Sequence, residues 1–377
     1  MKRYLMIYLL ILGAGACSRP FDRLSRGLSK ASPKQQLIAQ IIPPATFIGH
    51  LASPVEVASP LIVNDRVYLA SVHNAILAVR KKSGKILWKK KIPGGVESTP
   101  AYYNQRLYFG ANDGFFYCVE TDSGKTIWRY NTQTAIYSTP LLKGEYVYFL
   151  TSKNALYALK SDTGKRIWRF NKGYLQKISM RGSASPVYHD GKIYIGLSDG
   201  AFYAVNAFDG REVWFRRLSP NEKFTDIDAT PIVLPDKLFV GTSDGFMYAL
   251  NPVTGATLWQ RQYNAILGIT ADHRRIYLSM YGEVAALSQK NGIKAWTYVV
   301  EEGVPSKPLL VEDQLIFGTT TSHVYSLSSQ EGSEIWRYNT DSGLSSRPTF
   351  HSDSVYLFTH FSKLHVIDPF YLISAGE

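Results

Sequence analysis

The chain has 377 residues, 45% of them hydrophobic and 13% aromatic, with 42 Lys and Arg against 30 Asp and Glu, a formal charge of +12. Its two cysteines, Cys17 and Cys118, exclude a disulfide framework. The excess of positive charge favours acidic partners in general and names none.

Lys2 and Arg3 precede an apolar run, Tyr4 to Leu12, and then the small residues Gly13 to Ala16 before Cys17. Residues 1–16 therefore read as a secretory signal peptide, too short for a stable membrane span. Small residues before a cysteine look like a bacterial lipoprotein cleavage site, which makes Cys17 the candidate lipidation residue; the alternative is ordinary cleavage beside an incidental cysteine. Residues 17–36 hold few apolar side chains and carry Arg19, Arg23, Arg26, Lys30 and Lys34. They read as a flexible basic tether, with a reach of ~25 Å as a random coil.

From residue 37 to 377 the chain repeats itself. All seven tryptophans, Trp88, Trp128, Trp168, Trp214, Trp259, Trp296 and Trp336, follow a glycine by four residues, and a small residue (Ala78, Cys118, Ala158, Ala204, Ala249, Ala286 or Ser326) precedes each glycine by six. Successive tryptophans are 40, 40, 46, 45, 37 and 40 residues apart. A period near 40 signals a repeat architecture. In the unit from Ser138 to Phe170, Leu141-Leu142, Tyr146 to Leu150, Ala155 to Leu159 and Arg166 to Phe170 read as four short strands separated by turns at Lys153-Asn154 and Thr163-Gly164. Four strands in about 40 residues make one blade of a β-propeller. The small residue on the third strand leaves space for the indole of the fourth, so the tryptophans read as core packing. Cys118 occupies such a small position and reads as an inert buried thiol.

Each unit opens on Ser/Thr-Pro: Ser59-Pro60, Thr99-Pro100, Thr139-Pro140, Ser185-Pro186 and Thr230-Pro231, with Lys307-Pro308 and Arg347-Pro348 as looser versions and a proline-less opening near Ile269-Thr270. Eight openings against seven tryptophan strands leave the last unit one strand short. Ala45-Thr46-Phe47-Ile48-Gly49-His50 lies where a fourth strand would, with Phe47 in the tryptophan's place. The expectation is an all-β, eight-bladed propeller of four-stranded antiparallel blades, closed by an N-terminal strand.

Function in a repeat protein is sought where the repeat is broken. From tryptophan to the next opening proline most units take 12 residues, but Trp168 to Pro186 takes 18 and Trp214 to Pro231 takes 17. These insertions fall in neighbouring connections, so the two loops are expected side by side on one face. Five residues before the proline, where other units have Gly or Ala, they carry Arg181 and Asp226; Asp228 follows, and Ile178 and Met180 lead into Arg181. Arginine beside aliphatic side chains is a common hot-spot composition, because its planar fork binds a carboxylate in two places. Asp226 and Asp228 either orient Arg181 or offer a second acidic contact; the plain alternative is a pair of satisfied loop charges.

The blades, with small residue, Thr-Gly and Trp, resemble the pyrroloquinoline-quinone-type propeller repeat, and within it the BamB family of outer-membrane assembly lipoproteins. Ile178-Ser-Met180-Arg181-Gly182 and Asp226-Ile-Asp228-Ala-Thr-Pro231 carry the most specific likeness. The resemblance implies a non-catalytic scaffold of the outer-membrane β-barrel assembly (BAM) complex, lipid-anchored through Cys17 on the periplasmic face of the outer membrane. It would hold the periplasmic POTRA domains of BamA through Ile178, Met180, Arg181, Asp226 and Asp228, and assist unfolded outer-membrane proteins. It implies no cofactor, metal or nucleic acid. Ile178 and Met180 stand where the family has leucines, which touches the fine fit.

Two rivals use the same wheel: a quinoprotein dehydrogenase, and another envelope scaffold or glycan binder. No adjacent cysteine pair or oxygen-rich calcium set supports the first. Asp113-Gly114, Asp199-Gly200 and Asp244-Gly245 read as hairpin turns. His73, His323 and His360, at or near predicted turns, read as exposed.

Overall fold

A computed structural model describes residues 35–40, 55–172, 184–219, 221 and 225–370. Its strands form eight four-stranded antiparallel sheets, seven of them from four consecutive strands (residues 61–91, 101–131, 141–171, 187–217, 232–262, 266–299 and 309–339) and the eighth from three strands in 349–367 and one from elsewhere, here blades one to eight. In blade eight the three C-terminal strands are joined by Gln35–Gln40, which pairs antiparallel with Lys363–Ile367. The eight-bladed propeller closed by an N-terminal strand is therefore the fold, but the closing strand lies upstream of the expected 45–50, which fall outside the described residues. The reason is local. Where the other blades place Ala, Cys or Ser opposite a tryptophan, blade eight has Val366, and its partner is Gln36. Val366 is larger than the residues that face the tryptophans, and an aromatic residue such as Phe47 is not what marks this strand.

Blade three shows why the sequence folds this way. Its two middle strands, Tyr146–Leu150 and Ala155–Lys160, are buried nearly throughout, because each blade is packed on both faces by its neighbours. The outer strand Arg166–Asn171 alternates, with Trp168 and Phe170 turned inward. Eight apolar clusters fill the eight interfaces; one joins Tyr148, Leu156, Ala158 and Trp168 of blade three to Ile193, Ile195 and Tyr203 of blade four. The last joins Val67 and Leu69 of blade one to Tyr356 and Phe358 of blade eight.

The small residues lie opposite the tryptophans as expected, Ala158 against Trp168, just before a bulge in each ladder. The glycines serve a partner the spacing does not reveal. Gly210 lies under Trp168 of the preceding blade, and five others, Gly124, Gly164, Gly255, Gly292 and Gly332, lie likewise under the tryptophan before them. A Cβ at any of these six would come within 2.5–2.7 Å of the indole or its immediate neighbours, and each glycine has positive φ. Each indole N–H donates to a carbonyl of that same turn, from Trp88 to Thr121 O at 2.8 Å through Trp168 to Ala207 O at 3.2 Å. A second-strand tyrosine donates to the same oxygen in several blades, as Tyr148 does to Ala207 O at 3.0 Å. Burial pushes the Tyr148 pKa up to about 12, so the hydroxyl keeps its proton.

The opening Ser and Thr side chains also act between blades. Ser59 N–H donates to Thr99 Oγ1, Thr139 N–H to Ser185 Oγ and Ser185 N–H to Thr230 Oγ1, at 2.9, 2.9 and 3.2 Å. Thr349 Oγ1 donates to Pro60 O at 2.9 Å across the seam between blades eight and one. That seam holds a fully buried carboxylate, Glu56, which accepts from Ser71 Oγ (2.6 Å), Ser362 Oγ (2.9 Å) and the Val72 amide (3.1 Å). Burial raises its pKa despite these bonds.

Three outcomes are expected from these contacts. Trp168→Ala lowers stability by about 3–5 kcal/mol, measured by denaturant unfolding. Gly210→Ala alone is also destabilising, but costs clearly less in the Trp168→Ala background, because the overlap has gone; additive losses would contradict the stacking. For Glu56, the folded state binds the proton more tightly than the unfolded chain. Its contribution to stability therefore grows as pH falls through the raised folded pKa towards the ordinary carboxylate value. Against a Glu56→Gln variant, the wild type gains relative stability over that window, and a flat difference would refute the buried-carboxylate assignment.

Candidate functional site

In an antiparallel four-stranded blade the connection between blades and the hairpin between strands two and three emerge on one face, and the two remaining turns on the other. The tryptophan-bearing turns thus occupy one face and the two enlarged connections the opposite one. Of the residues singled out in them, Asp226 and Asp228 are described; Ile178, Met180 and Arg181 lie outside the described residues, as does Cys17.

The described parts of the second enlarged connection, 218–219, 221 and 225–230, bond to two hairpins. Leu218 N–H donates to Gly200 O at 2.9 Å and Ile227 N–H to Leu197 O at 3.2 Å, tying it to blade four, while Asp226 O accepts from Ser243 N–H at 2.8 Å, tying it to blade five. Ile227 is buried against Gly196, where a Cβ would stand 2.2 Å from the isoleucine methyl. Close approach of the loop is what requires glycine there. Asp226 is fully buried. Asp228 is half-buried, 3.3 Å from the Ser243 hydroxyl, and borders a cavity on the propeller axis.

A residue that the sequence reading placed in a plain turn has a larger part. Asp244 accepts from Ser219 Oγ at 2.5 Å and Asn221 Nδ2 at 2.9 Å through one oxygen, and from the Thr242 hydroxyl through the other. It braces the loop, whereas the equivalent Asp113 accepts from the Phe115 amide and the Tyr117 hydroxyl of its own hairpin. Asp113, Asp199 and Asp244 are all turn aspartates, as expected. Nothing in Asp244-Gly245 itself shows that the side chain reaches residues 219 and 221; the sequence signal is the extra length of the connection beside it.

His73, His323 and His360 are partly buried, not exposed. His73 Nε2 stands 4.0 Å from Glu56, His323 packs against Tyr325, and His360 Nε2 is 2.9 Å from Ser345 Oγ, with burial lowering its pKa. For His360 the cover is the inter-blade connection, whose Gly343 and Ser345 lie against the ring. Cys118 is buried, and desolvation pushes its thiol pKa up to about 11, so it is unreactive near neutrality. Among the described residues no group of three or more His, Cys, Asp or Glu is placed to hold a metal ion. No helix among them is long and apolar enough to cross a membrane. The arrangement can present a braced, acidic-edged loop surface on a rigid support.

The family model described as "Outer membrane protein assembly factor BamB" matches residues 48–117, 112–298 and 244–370. No curated protein matches the chain. Among solved structures, BamB from Moraxella catarrhalis is 20% identical, with a TM-score of 0.73 over 84% of this chain and 96% of that one. A quinohemoprotein alcohol dehydrogenase from Pseudomonas putida is 13% identical, with a TM-score of 0.71 over 87% of this chain and 76% of that one. A computationally designed protein is also 13% identical, with a TM-score of 0.70 over 84% of this chain and 96% of that one. At these identities the likeness to each structure is one of fold.

If Asp244 braces the loop, Asp244→Ala speeds hydrogen exchange at the Leu218 and Ile227 amides by about tenfold or more. Amides of the outer strand Thr257–Gln262 keep their protection. Unchanged exchange at Leu218 and Ile227 would remove Asp244 from this role.

Proposed function

The chain belongs to the outer membrane protein assembly factor BamB family, and from that membership we propose that it is a non-catalytic scaffold of the outer-membrane β-barrel assembly complex. It works at the periplasmic face of the outer membrane, held there by lipid on Cys17. Its partner is BamA, gripped through the POTRA domains by the two enlarged connections after blades three and four. Arg181 is the anchor, Ile178 and Met180 its apolar surround, and Asp228 an acidic contact at the edge, while Asp226 supports the loop from beneath. By fixing the orientation of those domains the protein assists the folding and insertion of outer-membrane proteins.

The observation that carries this reading is the attachment of the second enlarged connection to the hairpins of blades four and five. An insertion left to solvent would lose ordering entropy on docking, whereas one already bonded to two blades has little left to lose. The quinohemoprotein dehydrogenase shares the wheel, and a wheel does not specify chemistry.

The test is charge reversal at the anchor. Arg181→Glu is expected to weaken BamA binding by at least about tenfold, equivalent to 1.4 kcal/mol, in co-purification from envelopes or in direct titration, with the melting temperature nearly unchanged. Undiminished recovery of BamA would reject Arg181 as the anchor.

A further inference from the structure

The axis of the wheel carries an uncompensated pair of cations. In blades one to five the axial position just before the first strand is Ser or Thr, and the hydroxyls of Thr99, Ser185 and Thr230 accept from the preceding blade. In blades seven and eight the same position is Lys307 and Arg347. Both are half-buried and line the axial cavity, whose volume is about 820 Å³. Among the described residues neither side chain makes a hydrogen bond or an ion pair, and Arg347 Nε is buried without a partner. The acids on the same wall are engaged elsewhere: Glu97 accepts from Asn112 Nδ2 at 2.9 Å, and Asp228 from Ser243 Oγ. Burial, and then the like charge of Arg347, bring the Lys307 pKa down to about 8. Burial also lowers that of Arg347.

Two partly buried cations on one cavity wall, with no carboxylate between them, are destabilising unless an anion joins them. A buried guanidinium N–H left unpaired adds the cost of its lost hydration. The cavity is within the size range of small-molecule sites, roughly 300–1,000 Å³, and far larger than a bare inorganic anion requires. Leu267, Leu309 and Phe350 give it apolar wall as well.

We propose that the propeller axis is a binding site for a small organic anion, whose carboxylate or phosphate headgroup is held by Lys307 and Arg347. The planar guanidinium takes two headgroup oxygens and the ammonium serves as a point charge on the same group. The organic body of the ligand lies along the apolar wall. This site adjoins the loop surface proposed to dock BamA, since Asp228 borders both, but its two cations lie in blades seven and eight and it does not depend on that reading.

The purified full-length protein is titrated with citrate and, separately, with glycerol 2-phosphate, at constant ionic strength against chloride, following heat release and melting temperature. Saturable binding with a rise in melting temperature is expected for at least one of them; citrate alone assigns the site to carboxylates and glycerol 2-phosphate alone to phosphates. Lys307→Met and Arg347→Gln are each expected to weaken that binding at least about tenfold. Without anion, Lys307→Met melts no lower than the wild type, because it removes a charge the apo site leaves uncompensated. No saturable binding of either compound beyond chloride, or full binding retained in both variants, would overturn the proposal.

Discussion

The contact on which the rest of the wheel depends is an indole lying on the turn of the next blade. Seven tryptophans repeat it, each donating its N–H to a carbonyl of the following turn. Six of those turns place a glycine beneath the ring. The hydrogen bond fixes where the indole sits, the missing Cβ lets it come close, and the small residue opposite it within its own blade lets the outer strand lie flat. A blade cannot bury its two faces alone, so this lock between neighbours, together with the apolar cluster at each interface, makes eight marginal sheets into one body. The last blade keeps the hydrogen bond without the glycine: Trp336 donates to Pro369 O and also to Gln314 Oε1.

Because the lock occupies one face and the outer rim, the opposite face and the axis are left to vary. The enlarged connection 218–230 uses that freedom while staying bonded to two blades, and Asp244 holds it from the side. The axis uses it differently, exchanging inter-blade hydroxyls for Lys307 and Arg347. Closure of the ring needed its own solution, since blade eight has no tryptophan. There the strand Gln35–Gln40, the Thr349 bond to Pro60 and the buried Glu56 do the joining.

Much of the wheel was legible in the sequence because its cause is local and repeated. Trp168 and Gly164 recur at fixed spacing, so period, blade number and strand pattern follow. What the spacing hides is direction: Gly164 sits four residues from Trp168 yet serves Trp128. A constant repeat looks the same whether a contact is made within a unit or with the next. Single features are hidden for the opposite reason. Glu56 occupies a place where most other blades have an aliphatic residue, such as Val96, Ile136 and Leu344, and only the fold brings Ser362 to it. The closing strand was sought by an aromatic residue that Val366 leaves no need for. At the candidate site, the loop lengths located the surface, but burial of Asp226 and the bracing by Asp244 arise from contacts between blades four and five that no local pattern encodes.

The central claim is that one face of a rigid wheel, the one bearing the enlarged connections, is the face that meets the barrel-assembly partner. Site-specific photo-crosslinking from the two faces tests it most directly, with the probe placed at Asn221 in the enlarged connection or at Asp162 in a tryptophan-bearing turn, both exposed. The account expects covalent capture of BamA from position 221 and none from position 162. Capture from 162 with none from 221 would put the partner on the opposite face and contradict it.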